Sequence, residues 1–430
     1  MDVFKLYDIR GKWGDELTED KVFKIGLAFG EFFKDTDYIG VVRDVRIHSK
    51  RIRDILIDAI TRTHNVIDFG IGSTPEAAYL ARVYTIPVLM ITASHNPKEY
   101  NGIKVIDDKG YELPPEDLKA IENIYKNVRN FEGREGIVEE DTYAVEIYKW
   151  YLRKKFRNIR GYKIGYDPSN SVMSIFIDVF QDLGNEVFSI NSELDGNFPS
   201  HLPDPAKDEN MQQMVDLVKV KGLDFGVVFD GDGDRLGVVD NNGRIIRPYE
   251  YLMAFLGRGR KFLLEVSLPY ILREILKRDG YEYVISRTGR PFIVEKSIKN
   301  KVFLAVESSG HYYFSNNFYS SDSLYAILML IKELRDKGIW FDSLKLEEFN
   351  RKEIVIKKEK GNLIEKIKDY FENRDVSIDN LNGELDGIDI LGKGFRILVR
   401  ESQTEPIYRL IVEDYGSNIS EEIEKILSQL

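Results

Sequence analysis

Short apolar runs rich in β-branched residues alternate along this chain with stretches whose apolar positions recur every three or four residues. Runs of the first kind predict strands and periodic stretches of the second kind predict amphipathic helices. The runs place strands over 39–42, 66–69, 88–91, 163–166, 225–229, 302–306 and 395–399. The periodic stretches place helices over 19–33, 50–61, 115–126, 143–156, 175–183, 209–221, 323–337 and 363–371. Strand–helix alternation recurs through three successive blocks of about a hundred residues, so the fold class is α/β with largely parallel strands. From about Arg351 the order changes to a strand, a helix, strands near 388–391, 395–399 and 408–412, and a closing helix over 420–430, which predicts an α+β unit with antiparallel pairing. The expected domains are 1–148, 149–244, 245–346 and 347–430.

Composition narrows the setting. The 430 residues carry 61 basic and 72 acidic side chains, a formal charge of −11, which argues against nucleic acid as a general partner and leaves room for a small anion in a locally basic cleft. With no cysteine there is no disulfide, thiolate metal site or cysteine nucleophile. The start Met1-Asp2-Val3-Phe4-Lys5 is charged rather than signal-like, and no apolar stretch approaches the length of a membrane span, so a soluble cytoplasmic protein with no membrane partner is expected.

Chemistry concentrates in four loops. Asp230-Gly231-Asp232-Gly233-Asp234-Arg235 follows the apolar run 225–229 and puts carboxylates on alternate residues. Like charges so crowded repel and raise one another's pKa, so a cation is expected. Three monodentate carboxylates leave octahedral positions open and suit Mg²⁺ better than Ca²⁺. An EF-hand is excluded, because its required glycine and final acid would fall on Arg235 and Asn241. The plainer alternative is a solvated Asp-Gly turn.

The run 86–91 leads directly into Thr92-Ala93-Ser94-His95-Asn96-Pro97, placing Ser94 and His95 where α/β sheets bind ligands. Asn101-Gly102-Ile103-Lys104 then supplies a turn and a lysine within reach of the same serine, or merely a surface cation. Glu307-Ser308-Ser309-Gly310-His311 follows the run 302–306 with groups suited to hydroxyls. On the last loop, Arg400, Ser402, Thr404 and Arg409 gather guanidinium groups and hydroxyls that match phosphate oxygens, unless Glu401 and Glu405 pair the arginines in an exposed turn. Near the start, Tyr7-Asp8-Ile9-Arg10-Gly11 adds an arginine, and Arg43, Asp44 and Arg46 read as structural Arg–Asp pairing.

Taken in order, these segments resemble the α-D-phosphohexomutase family over essentially the whole chain. Tyr7–Gly11 and Asp195-Gly196-Asn197-Phe198-Pro199 look most like its phosphomannomutase/phosphoglucomutase branch, and Ser308 stands where the phosphoglucosamine branch typically has Gln. The resemblance implies three similar mixed α/β domains and a C-terminal α+β domain in a heart-shaped arrangement around a central cleft. It implies hexose 1-phosphate and 6-phosphate interconversion through a phosphoserine at Ser94 and a hexose 1,6-bisphosphate. Mg²⁺ would be held by Asp230, Asp232, Asp234 and the Ser94 phosphoryl group. Lys104 would act as general acid or base with its amine lowered among other cations, His95 would orient the serine loop, and Arg10 and Arg235 would steady the phosphoryl group. Glu307, Ser309 and His311 would read sugar hydroxyls, while Arg400, Ser402, Gln403, Thr404 and Arg409 would grip the non-reacting phosphate. Monomer or homodimer is expected.

Departures from the family pattern fall at Gln403, at Ser267 where a lysine is frequent, and at Arg290 where a histidine is frequent. Arg290 is expected to contact substrate. Competing readings are a phosphoglucosamine mutase or phosphopentomutase of the same family, a phosphatase using the aspartates directly, and a non-catalytic sugar-phosphate-binding regulator.

Overall fold

The computed structural model describes residues 3–128, 135–257, 259–346, 349–357, 363–379, 381, 387–401, 407–417 and 419–428. Four sheets follow one another along the chain. The first runs Ile9–Lys12, Tyr100–Ile106, Val88–Ile91, Tyr38–Arg43, Asn65–Ile71, Val138–Glu140, with the last four strands parallel and Tyr100–Ile106 antiparallel to both neighbours. The second runs Ile245–Ile246, Leu236–Asp240, Phe225–Phe229, Lys163–Asp167, Glu186–Ser189, and the third Glu282–Ser286, Lys261–Glu265, Leu304–Val306, Tyr312–Phe314. Both are parallel from the centre to one edge and antiparallel at the other. The fourth is antiparallel throughout, as the changed pattern after Arg351 predicts.

The mixed edges refine the expectation of largely parallel strands, and they matter for the chemistry. In each of the first three sheets one parallel strand turns back into an antiparallel partner, and the turn is one of the candidate site loops. Val88–Ile91 returns as Tyr100–Ile106 through Ser94, Phe225–Phe229 returns as Leu236–Asp240 through the aspartates, and Leu304–Val306 returns as Tyr312–Phe314 through Glu307–His311. In the fourth sheet Phe395–Glu401 pairs with Ile407–Asp414 in the same way.

Packing couples the second and third sheets. Helix Ser323–Lys337 starts at Asp322, whose side chain accepts from the Tyr325 amide, and stops at Gly338 with φ +66°. It is apolar almost all round, and Leu324, Ile327, Leu328, Leu330 and Ile331 are buried in one core with Phe225, Phe229, Tyr251, Leu264 and Leu304. From Leu324 to Ile331 it has no polar face and belongs in the interior, so the aspartate loop and the Glu307 loop stand on one foundation. The first sheet has its own cores, and the fourth is joined to the third through Val266, Leu398 and Ile411.

Two element expectations are adjusted. The strand predicted over 302–306 begins at Leu304, and the helix predicted over 175–183 divides into a 3₁₀ turn Val172–Phe176, opened by the Ser171 side chain, and a short α-helix Ile177–Asp182. Among the described residues no helix is long and apolar enough to cross a membrane.

Candidate active site

The three hairpin loops converge. Ser94 is buried and has φ +51°, a left-handed conformation that costs a non-glycine residue energy and recurs at functional turns. Its Oγ donates to Asp230 Oδ2 at 2.7 Å and lies 3.1 Å from His95 Nδ1. Gly231 permits this approach, because a Cβ there would stand 2.2 Å from the Ser94 carbonyl oxygen.

Asp230, Asp232 and Asp234 are all buried, and their ligand oxygens lie within 4.8 Å of one another. Asp230 Oδ1 accepts the amides of Gly233 at 2.9 Å and Arg235 at 3.1 Å, which folds the loop around its first carboxylate. Asp232 Oδ2 accepts from Thr74 Oγ1 at 2.6 Å, and the Thr74 amide donates to the Asp232 carbonyl. Thr74 opens helix Thr74–Tyr84, and on the opposite side Ser323 Oγ donates to the Gly233 carbonyl at the start of its own helix. The acidic loop thus lies between two helix N-termini, whose positive ends offset part of its charge. Asp232 Oδ1 is buried with no hydrogen-bond partner. A bare carboxylate oxygen in that position fits a cation, so this group can hold a metal ion.

Charge in the loop is balanced from the other sheets. Lys104 Nζ reaches Asp232 Oδ2 and Asp234 Oδ2, each at 2.6 Å, and His311 Nε2 lies 3.1 Å from Asp234 Oδ1. Arg290 Nη1 adds a longer contact to Asp234 at 3.3 Å, while its Nε binds Glu112. Burial and the neighbouring Asp232 and Asp234 push the Asp230 carboxyl well above the usual range. Asp234 is held well below it, since Lys104 and His311 overcome the effect of burial. Lys104 corrects the expectation of a lowered amine: burial and Arg290 do depress it, but Asp232 and Asp234 outweigh them and raise it above its ordinary value. His95 moves the other way, its imidazole pushed well below its ordinary value by burial and then by Arg235 and Arg10.

Arg10, Arg235, Glu307 and Ser309 ring this centre, and Arg409 does not join it. Arg10 donates to Asp8 at 2.6 Å and to Asn96 on the serine loop at 3.0 Å, and Arg235 binds Asp204 at 3.1 Å beside His95. Glu307 takes Tyr313 Oη at 2.5 Å and lies 3.1 Å from His311 Nδ1, which also meets Ser309 Oγ at 2.7 Å. Arg400 Nη1 donates to Thr288 across the cleft at 2.8 Å, whereas Arg409 pairs with Glu353 in its own sheet. Ser402, Gln403 and Thr404 lie outside the described residues. Three buried guanidinium N–H groups, Arg235 Nε, Arg290 Nη2 and Arg400 Nε, have no hydrogen-bond acceptor among the described residues. Unpaired cationic donors at several points of one cleft fit an anionic ligand.

Sequence reasoning missed Thr74, Glu112 and Asp204. Thr74 had a legible signal in Ser73-Thr74-Pro75-Glu76, a capping box that the structure forms in full. Glu112 and Asp204 had none, because their roles depend on which distant arginine arrives beside them.

Models of the phosphoglucomutase/phosphomannomutase α/β/α domains I, II and III match residues 1–132, 141–243 and 249–351. A phosphomannomutase of Methanocaldococcus jannaschii is 32% identical over 99% of this chain and 96% of its own length. A phosphomannomutase/phosphoglucomutase of Pseudomonas aeruginosa is also 32% identical, over 99% of this chain and 93% of its own. The crystal structure of a phosphoglucomutase/phosphomannomutase family protein from Burkholderia thailandensis superimposes with a TM-score of 0.88 at 28% identity, covering 99% of this chain and 96% of that one. With the serine, aspartate and glutamate loops of three sheets meeting at one point, the chain belongs to the phosphoglucomutase/phosphomannomutase family of α-D-phosphohexomutases.

Proposed function

We propose that this chain interconverts hexose 1-phosphate and hexose 6-phosphate, with mannose or glucose as the sugar, by passing a phosphoryl group between Ser94 and the substrate through a hexose 1,6-bisphosphate. The observation that carries this reading is the buried Ser94 hydroxyl, 2.7 Å from Asp230 in a cage whose Asp232 Oδ1 still lacks a partner. The division into domains 1–148, 149–244, 245–346 and 347–430 gives each domain one loop of the site.

Asp230, Asp232 and Asp234, with phosphorylated Ser94, would hold Mg²⁺, which would supply charge neutralisation and orientation of the transferring group. The Ser94 Oγ–P bond breaks as a bond from phosphorus to a sugar hydroxyl oxygen forms, and the proton that hydroxyl loses is matched by one taken up by the departing Ser94 oxygen. The return step uses the phosphate at the other end of the sugar. Lys104, held charged by two aspartates, suits the acid arm and the offsetting of phosphoryl charge better than the base arm. Neutral His95 orients Ser94 Oγ, Arg10 and Arg235 steady the phosphoryl group, and Arg290 adds its unpaired Nη2. Glu307, Ser309 and His311 address sugar hydroxyls. Arg400 and Arg409, with Ser402, Gln403 and Thr404, grip the phosphate that does not react, which lets one pocket accept either orientation. Closure of the fourth domain excludes water that would hydrolyse the phosphoserine. A cytoplasmic monomer or homodimer acting on small sugar phosphates completes the reading.

A coupled assay with Mg²⁺ and the matching 1,6-bisphosphate, run on glucose, mannose, glucosamine and ribose 1-phosphates, tests it. The highest kcat/KM is expected on mannose or glucose 1-phosphate. Turnover of none of the four would overturn the proposal, and preference for glucosamine or ribose would move the chain to another branch of the family.

A further inference from the structure

We propose that Arg46 is the positioning residue that sets the Ser94 loop, and that the Asp195–Phe198 segment latches it in place. This rests on the phosphoryl-transfer reading of Ser94 above. Arg46 lies between strand Tyr38–Arg43 and helix Ser49–Ile60 and is 1% exposed. Its Nη2 donates to the carbonyls of Ser94 and Asn96, both at 2.6 Å, and its Nη1 to those of Pro97 at 2.8 Å and Tyr100 at 3.1 Å. A guanidinium carries two N–H bonds on each terminal nitrogen, so its four terminal donors meet four carbonyls of one short loop.

The pairing with Asp44 expected from the sequence is present, with Nε 3.3 Å from Asp44 Oδ2, but it serves as the anchor of this clamp. Asp44 Oδ1 accepts the Arg46 amide at 3.0 Å and Ser49 Oγ at 2.5 Å, and Ser49 Oγ accepts Asn101 Nδ2 at 2.9 Å. Both ends of the serine loop therefore return to one buried carboxylate.

The latch comes from the second sheet's side. The Phe198 ring covers the guanidinium at 4.9 Å from its centroid, and a Cβ on Gly196 would stand 2.3 Å from the Val45 carbonyl oxygen and 2.6 Å from Arg46 Cα. Only glycine lets this backbone lie so close. On its other side the Ser94 carbonyl is met by Gly231 of the aspartate loop. Ser94 is thus wedged between a guanidinium and the backbone of the metal loop, which holds its left-handed φ and aims Oγ at Asp230. Arg46 does not bond Oγ, so its effect runs through geometry. A lysine keeps the charge, but its donors diverge from a single nitrogen and cannot span four carbonyls.

Arg46→Lys and Gly196→Ala in the full chain, assayed with hexose 1-phosphate, Mg²⁺ and 1,6-bisphosphate, test the proposal. For Arg46→Lys, kcat is expected to fall about 100-fold, as for a misplacement on the order of 1 Å, while KM changes by less than about threefold because the sugar contacts are untouched. Gly196→Ala should give the same split, about tenfold in kcat, and carries the test if Arg46→Lys does not fold. Hydrogen exchange supplies a readout independent of activity: amides of 94–102 should exchange faster in either folded variant while the second-sheet core is unchanged. Wild-type kcat per folded molecule together with unchanged exchange would overturn the proposal. A wild-type chain that turns over no sugar phosphate would count against the function proposed above, and the exchange arm would still decide this one.

Discussion

Around Ser94 the central charges are paired across sheets: Lys104 of the first reaches Asp232 and Asp234 of the second, and His311 of the third reaches Asp234. Among the described residues, Arg400 donates across the cleft to a neutral acceptor, Thr288, and its Nε meets none, while Arg409 pairs with Glu353 beside it in the fourth sheet. The first region is organised before any ligand arrives, since buried charges are tolerable only when paired. In the second region Arg400 has no carboxylate partner among the described residues, so its guanidinium stays available. A phosphoryl group that must be transferred benefits from a fixed frame, whereas a phosphate that is only gripped can complete its own site on binding.

If this contrast is right, substitutions in the two regions should divide between kcat and KM. Asp232→Asn removes the charge that meets Thr74 and Lys104 and that the bare Oδ1 shares, and kcat is expected to fall by about 10²- to 10³-fold with little change in KM. Steady-state kinetics in saturating Mg²⁺ check this, and a loss under tenfold would mean the aspartates are a structural turn. Arg400→Ala should do the reverse. Losing a charge-assisted hydrogen bond of about 1.5–3 kcal/mol raises KM by about 10- to 100-fold. A kcat within about threefold of wild type marks that loss as uniform binding. A fall in kcat with KM unchanged would place Arg400 in the transferring frame and erase the distinction.

The fold was legible where apolar period and turn chemistry agreed. Strand 225–229 ending in alternating aspartates, and helix 323–337 bracketed by Asp322 and Gly338, stand where the pattern puts them. The site was legible as far as residue type and position after a strand could carry it, which covers Ser94, the three aspartates and His311. Two things were not. The raised Lys104 amine is not legible in the sequence, because the aspartates that raise it stand 128 and 130 residues away and the Arg290 that opposes them stands further still. Arg46 was read as half of a local pair because Asp44 is adjacent, and nothing in the sequence shows that its other donors meet carbonyls 48 to 54 residues further on.

The smallest effect concerns the support beneath the fixed frame. Glu76 lies in the first turn of helix Thr74–Tyr84, fully buried, accepting from the Ser73 amide at 3.1 Å. Burial raises its carboxyl to about 8, with the Ser73 amide and Lys149 opposing. Because the folded value lies above the unfolded one, the stability contributed by the protonated form is complete below the unfolded pKa of 4.5 and is lost as pH rises through about 8. Glu76→Gln should therefore match wild type in thermal midpoint near pH 4 and exceed it by about 2–8 °C above pH 8, with kcat little changed. An equal midpoint at both pH values would show that Glu76 is neutralised by another route.

The central claim is that a phosphoryl group resides on Ser94 and moves between it and the sugar. Its most direct test is peptide mapping of the chain after brief mixing with hexose 1,6-bisphosphate carrying ³²P, followed by a chase with unlabelled hexose 1-phosphate. Acid-stable label is expected on the peptide containing Ser94, discharged by the chase at least as fast as kcat, and absent from Ser94→Ala, which should also lose turnover. Acid-labile label on the peptide containing Asp230, Asp232 and Asp234, or turnover by Ser94→Ala at the wild-type rate, would contradict it.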